Sequence, residues 1–218
     1  MKTKSTFFVG ATGSFEEVTV KKWKRFRVLS HKSIGNLTNI ADRVIGQRIA
    51  MAYLGRLVKD SNSVVRRGFN EYRLKRSWWP MFMSLNLVPA FDFTDPSSPV
   101  FVPTGLTVAK GSLGTTPMNN AEFSESTGLL LLEWNATVTP PQESYDHLCF
   151  ILYNRRLDQY FSATAAGLRN GGGVYFNMQD QGFLSGDTLD IWSWWTTYFQ
   201  TETGLEGNSS YITCVVSA

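Results

Sequence analysis

The sequence predicts an α+β fold: an N-terminal β-hairpin with two or three helices, then a C-terminal antiparallel β-sandwich. Three observations lead there. β-Branched and aromatic residues alternate with polar ones around residues 14–32; apolar residues then recur at three- and four-residue steps as far as residue 76; and after residue 93 short apolar runs alternate with turn signals. The boundary is expected after Phe93, which gives a basic hairpin-and-helix region, 1–93, and an acidic β-sandwich, 94–218.

The hairpin rests on Val18 and Val20, then Phe26 and Val28, on either side of a basic centre. A first helix follows from the recurrence of Leu37, Ile40, Ala41, Val44, Ile45, Ile49, Ala52, Tyr53 and Leu57, with Asn36 or Thr38 to cap it. Arg43, Arg48, Arg56 and Lys59 fall mostly off that stripe. A second helical stretch spans 63–76, with Val64, Val65, Phe69 and Tyr72 on one side and Gly68 weakening it. The segment SWWPMFMSLNLVPAF reads as a short third helix that ends before Pro89, because the residue preceding a proline is pushed out of helical geometry. The proline-rich connector TDPSSPVFVPTG comes next. Strand candidates then run through VFVPTGLTVAKG, GLLLLEWNATV, HLCFILYN, GVYFNM, DTLDIWSWWTTYF and SYITCVV, with turns at NGGG, SGD and EGNSS. Strand alternation puts Leu130, Leu132 and Trp134 on one face, and Leu148, Phe150 and Leu152 likewise.

Composition excludes several classes. Apolar residues make up 43% and charged residues 18% of the chain, which suits a globular core and not a disordered or fibrous protein. The first apolar run is only Phe7, Phe8 and Val9, and runs elsewhere, such as the leucines Leu129 to Leu132, are far too short to cross a bilayer, so neither a secretory leader nor a membrane span is expected, and synthesis in the cytoplasm is. Cys149 and Cys214 sit in apolar strand-like runs and read as reduced, buried thiols. The net charge of +3 conceals a strong polarity. Residues 1–79 carry 17 Lys or Arg against 5 Asp or Glu, a net of +12, whereas residues 80–218 carry 4 against 13, a net of −9. Such a chain steers acidic partners, nucleic acid or another copy's acidic half, toward its N-terminal part.

The order of the hairpin, GQRIA, RRGF, SWWPMFMSLN, VAKGSL, LEWN, DHLCFILYN, LSGDTLDIW and NSSYI resembles a family of Bacteroidota proteins catalogued as a domain of unknown function. The C-terminal half also resembles a fibronectin-III/Ig-like sandwich. That resemblance implies that Trp134 is its early core tryptophan and that Tyr211 lies on the last strand. A family without an assigned activity supplies no catalytic residues.

Catalytic and cofactor signatures are not found. GATG near the N-terminus lacks the third small residue and the downstream acid of a dinucleotide loop, and no P-loop is present. His31 and His147 have no nucleophile motif to serve, and the pairs Asp92 with Asp95, Glu122 with Glu125 and Asp187 with Asp190 fit solvated or turn-capping roles. No metal or cofactor is expected.

Two segments stand out as surfaces. In KKWKRFR, Lys21, Lys22, Lys24, Arg25 and Arg27 suit phosphates while Trp23 or Phe26 suits base stacking. The same block suits docking on an acidic protein, or a solvated rim over inward-packed rings. In IWSWWTTYF, alternation sets Trp192, Trp194 and Tyr198 on one face and Ile191, Trp195 and Phe199 on the other. An apolar second face calls for cover by the N-terminal helices, a subunit interface or a carbohydrate platform.

These features lead to the expectation of a non-enzymatic structural or interaction subunit. Its most concrete form is a virion or phage-like particle component that forms homo-oligomers or a larger protein assembly, with nucleic acid as a further partner of the basic region. The alternative is a carbohydrate- or surface-binding module.

Overall fold

The computed structural model describes residues 13–15, 18–23, 26–31, 42–72, 77–139, 141–197 and 204–218, with side chains from Asp42 onward apart from Tyr72. The chain forms two units, Met1–Ala41 and Asp42–Ala218. Phe93, the expected boundary, lies inside the second.

In the first unit, β1 (Gly13–Phe15), β2 (Val18–Trp23) and β3 (Phe26–His31) make a three-stranded antiparallel sheet. The expected hairpin is β2 with β3.

The second unit opens with α1 (Asp42–Gly68), which joins the two expected helical stretches. They meet at Ser61, whose φ of −123° and ψ of 25° are not helical. The buried side of α1 matches the expected one at Leu57, Val64 and Val65 but differs in its N-terminal half. Gly46, Ala50, Leu54, Leu57, Val58, Ser61, Val64, Val65 and Gly68 face inward, whereas Val44, Ile45, Ile49 and Met51 are exposed. The physical reason is close approach. A Cβ added at Gly46 would strike the Pro96 carbonyl oxygen, and one at Gly68 the Val108 carbonyl oxygen, so the helix needs its smallest residues where it sits nearest its neighbours. A second helix, α2 (Trp78–Asn86), follows. The buried Asn86 side chain pins its end: Nδ2 donates to the Phe82 and Thr107 carbonyls at 2.8 Å each, and Oδ1 accepts from the Thr107 amide at 2.6 Å.

Two short strands, β4 (Phe91–Asp92) and β5 (Val100–Phe101), pair across the proline-rich connector. The main sheet then comprises β6 (Met118–Ser124), β7 (Leu129–Trp134), β8 (His147–Asn154), β9 (Gln159–Ala163), β10 (Gly173–Asn177), β11 (Thr188–Thr196) and β12 (Ser210–Ser217). Its order is β10-β7-β6-β12-β11-β8-β9. This corrects the expected fibronectin-III/Ig-like sandwich: the strands form one mixed, strongly curled half-barrel. The cause is a short parallel junction, where Val216 and Ser217 of β12 lie opposite Phe123 and Ser124 of β6 and join what would otherwise be two sheets. Every other pairing in the sheet is antiparallel.

The sheet separates two cores. Inside the curl lie Phe123, Leu130, Leu132, Trp134, Leu148, Phe150, Leu152, Leu189, Ile191, Trp195 and Val216. The expected faces of β7 and β8 are therefore the observed ones. Outside the curl, Cys149, Ile151, Tyr153, Trp192 and Trp194 pack with α1, α2 and the segment Ala90 to Ala109. Burial of large apolar side chains on both sides, about 1.5–3 kcal/mol each, is what attaches the helices to the sheet. At the surface the same contact carries one ion pair, Arg56 Nη1 to Asp158 Oδ2 at 2.8 Å, with both side chains about half exposed.

Candidate functional site

The basic block lies on the first unit's hairpin. Its register sets Lys21 opposite Val28, Lys22 opposite Arg27 and Trp23 opposite Phe26, while Lys24 and Arg25 lie outside the described residues. Lys22 and Arg27 thus stand as a like-charged pair at opposite positions of the two strands.

The aromatic run is β11. Trp192 and Trp194 are fully buried against the helix layer, and Tyr198 lies outside the described residues. The Trp192 indole N–H donates to the Pro103 carbonyl at 3.0 Å, and the ring packs by Phe101 and Tyr211. The Trp194 N–H donates to Glu206 Oε2 at 3.2 Å. Of the three covers expected for this face, the helices supply it, and neither indole has a surface left for a glycan or a partner. Ile191 and Trp195 point into the curl, as alternation requires.

Three buried polar clusters were not announced by any motif. Glu206 is fully buried, and its carboxyl accepts from Thr196 Oγ1 at 3.0 Å as well as from Trp194. Its backbone N–H donates to Glu71 Oε1 at 2.6 Å, and that oxygen also accepts from the Ser112 amide at 3.0 Å. Desolvation raises the Glu206 carboxyl to about 8, with Glu71 adding to the rise while Thr196, Trp194 and Arg67 oppose it. This cluster fastens the end of α1 to the strand ends of the sheet.

The second is Arg169 with Asp146, both fully buried, at 3.1 Å. The Arg169 guanidinium lies 4.5 Å from the centre of the Trp195 ring, and the Arg169 carbonyl accepts from the Trp134 indole N–H at 2.7 Å. The third is built on Asp187 and Asp190, which are not solvated, although Asp187 does cap a turn by accepting from the Leu184 amide at 3.1 Å. Both are buried, Asp187 bound by Arg156 at 2.6 Å and Asp190 by Arg155 at 2.7 Å, and Tyr211 donates to Asp190 at 2.6 Å. Arg156 holds the Asp187 carboxyl down at about 2. The other pairs behave as expected: Asp92 and Asp95 cap exposed turns through Thr94 and Ser97, and Glu122 and Glu125 are exposed.

Cys149 and Cys214 are free and lie on opposite sides of the sheet. Burial pushes the Cys149 thiol up to about 12 and Cys214 to about 11, which leaves both unreactive at neutral pH. Among the described residues no group of three His, Cys, Asp or Glu forms a metal site, and no helix is long and apolar enough to cross a membrane.

One open pocket of about 320 Å³ lies beside the start of α1, lined by Arg43, Gln47, Leu87, Val88, Phe93 and Pro96. Farther round the helix Val44, Ile45, Ile49 and Met51 are exposed, with Arg48 between them. Sequence reasoning had Val44, Ile45 and Ile49 inward, so it missed this surface.

No protein-family model matches the chain, and no curated protein matches it either.

Proposed function

We propose that the chain is a non-enzymatic assembly subunit, most concretely a structural component of a virion or phage-like particle, whose basic side meets nucleic acid or the acidic side of a neighbour. The observation that carries this reading is the outer side of α1. A helix already anchored by one face keeps four large apolar residues, Val44, Ile45, Ile49 and Met51, partly exposed beside Arg48, and exposed apolar surface rimmed by polar groups marks protein–protein contacts. The charge division of +12 against −9 and the Lys22 and Arg27 register in the hairpin point to acidic partners.

Light scattering over a concentration series tests the reading, alongside titration with a short single-stranded oligonucleotide at several salt concentrations. Association with itself or with the oligonucleotide, weakening as salt rises, is the expected result. A strict monomer that ignores the oligonucleotide would overturn it.

A further inference from the structure

A second acidic and apolar surface lies on the same unit, on the outer side of the sheet strands that the helices leave uncovered. In β7 the residues that do not point into the curl are Leu129, Leu131 and Glu133; in β6 they include Asn120 and Glu122, in β10 Tyr175, and in β12 Val215. Register aligns them. Tyr175 stands opposite Leu131, Leu131 opposite Glu122, and the Val216–Phe123 pairing sets Val215 beside Glu122. Tyr175 is 66% and Val215 61% exposed, which is unusual for such large side chains in mid-strand.

The charge on this row is of one sign. None of these four strands contains a Lys or Arg. The carboxylates of Glu122 and Glu133 are drawn to a single amide, Asn120 Nδ2, at 2.8 and 3.0 Å. Two carboxylates sharing one neutral donor repel each other, and an arriving cation relieves that repulsion.

We infer that the outer face of α1 docks on this sheet face of a second copy, head to tail. Arg48 meets Glu122 and Glu133, and Ile45 and Ile49 meet Tyr175, Leu131 and Val215. The inference rests on the assembly reading above and specifies its surfaces. Complementarity of sign and of apolar character selects the second copy, because the helix face and the sheet face are each half of a contact and occur on every chain. The two patches differ, so the contact is heterologous, and each copy added leaves one free helix face and one free sheet face until a ring closes or a filament grows.

Sedimentation velocity on the full chain and on two single variants tests this. Ile49→Asp spoils the helix face and Tyr175→Asp the sheet face; both positions are exposed, so unchanged circular dichroism and melting temperature are expected for each. The wild type should form species larger than a dimer that dissolve as salt rises. Each variant alone should associate at least about tenfold more weakly, the loss expected from a central contact residue. An equimolar mixture of the two should form dimers and nothing larger, since only one intact helix face and one intact sheet face remain to meet. Wild-type-like association of either variant, or a mixture that stays monomeric, would overturn the inference while leaving the broader assembly reading in place. A wild type that stays monomeric yet binds the oligonucleotide would overturn it in the same way; one that does neither would take the broader reading with it.

Discussion

The two faces of β11 show how differently the same strand can be covered. On one side Ile191 and Trp195 pack inside the curl against strands of the same sheet, with the Trp195 ring edge-on to Trp134 at 5.1 Å. On the other, Trp192 and Trp194 are covered by helices and a connector that come from far earlier in the chain. The inner core is closed by sheet curvature and by Phe183 of the loop before β11, whose ring packs on Phe123 and Phe161. The outer one is closed by docking, and it is secured at one end by a buried carboxyl, Glu206, that hydrogen-bonds to Trp194 and Thr196. The difference teaches that the helix layer is part of the core, and that only its far side is left for a partner.

The largest expected effect tests whether both faces are core. Trp192→Ala and Trp195→Ala should each destabilise the protein by about 3–5 kcal/mol in denaturant unfolding, the usual cost of truncating a buried large aromatic. If Trp192→Ala costs under about 1 kcal/mol while Trp195→Ala costs the full amount, the helix layer is loosely attached and the comparison fails.

A middle-sized effect sharpens the outer face. The folded Glu206 carboxyl, at about 8, holds its proton where the unfolded chain, near 4.5, has lost it. Its contribution is fully present below about 4.5 and is lost as pH rises through about 8, at up to about 1.4 kcal/mol per pH unit within that window. Urea unfolding of the wild type and of Glu206→Gln at pH 5.5 and 8.5 should show a drop in the wild type that the variant lacks; parallel behaviour would mean that Glu206 is already ionised when folded. The smallest effect concerns the surface. Arg56→Ala should cost no more than about 1 kcal/mol, as exposed ion pairs do, and a larger loss would shift the attachment of the helices from burial to charge.

The parts of this architecture legible in the sequence are those set by alternation. The strands HLCFILYN and SYITCVV and the inward faces of Leu130, Leu132 and Trp134 follow from a two-residue period that burial then obeys. In the main sheet two strands escaped because they carry weak signals: β6, MNNAEFS, is polar at its start and breaks register between Met118 and Asn120, and β9, QYFSA, is a short edge. The N-terminal face of α1 was misread for a deeper reason. Hydrophobic periodicity favours the large residues Val44, Ile45 and Ile49, but the side that meets the connector is selected by size, through Gly46 and Ala50. The sandwich was misread because a junction of two residue pairs between β12 and β6 has no sequence signature, yet it turns two sheets into one. Glu206, Arg169 and Asp146 were invisible for a similar reason. A charged residue in a loop reads as solvated until the fold closes over it.

Hydroxyl-radical footprinting of the wild type over a concentration series, read by mass spectrometry along α1, tests most directly the claim that this helix has one face in the core and the other toward a partner. Leu54 and Leu57, fully buried, should be unreactive at every concentration. Met51 and Ile49, at 47% and 45% exposure, should react in dilute protein and become protected as oligomers form. Reactive Leu54 and Leu57, or Met51 equally reactive in monomer and oligomer, would contradict the account.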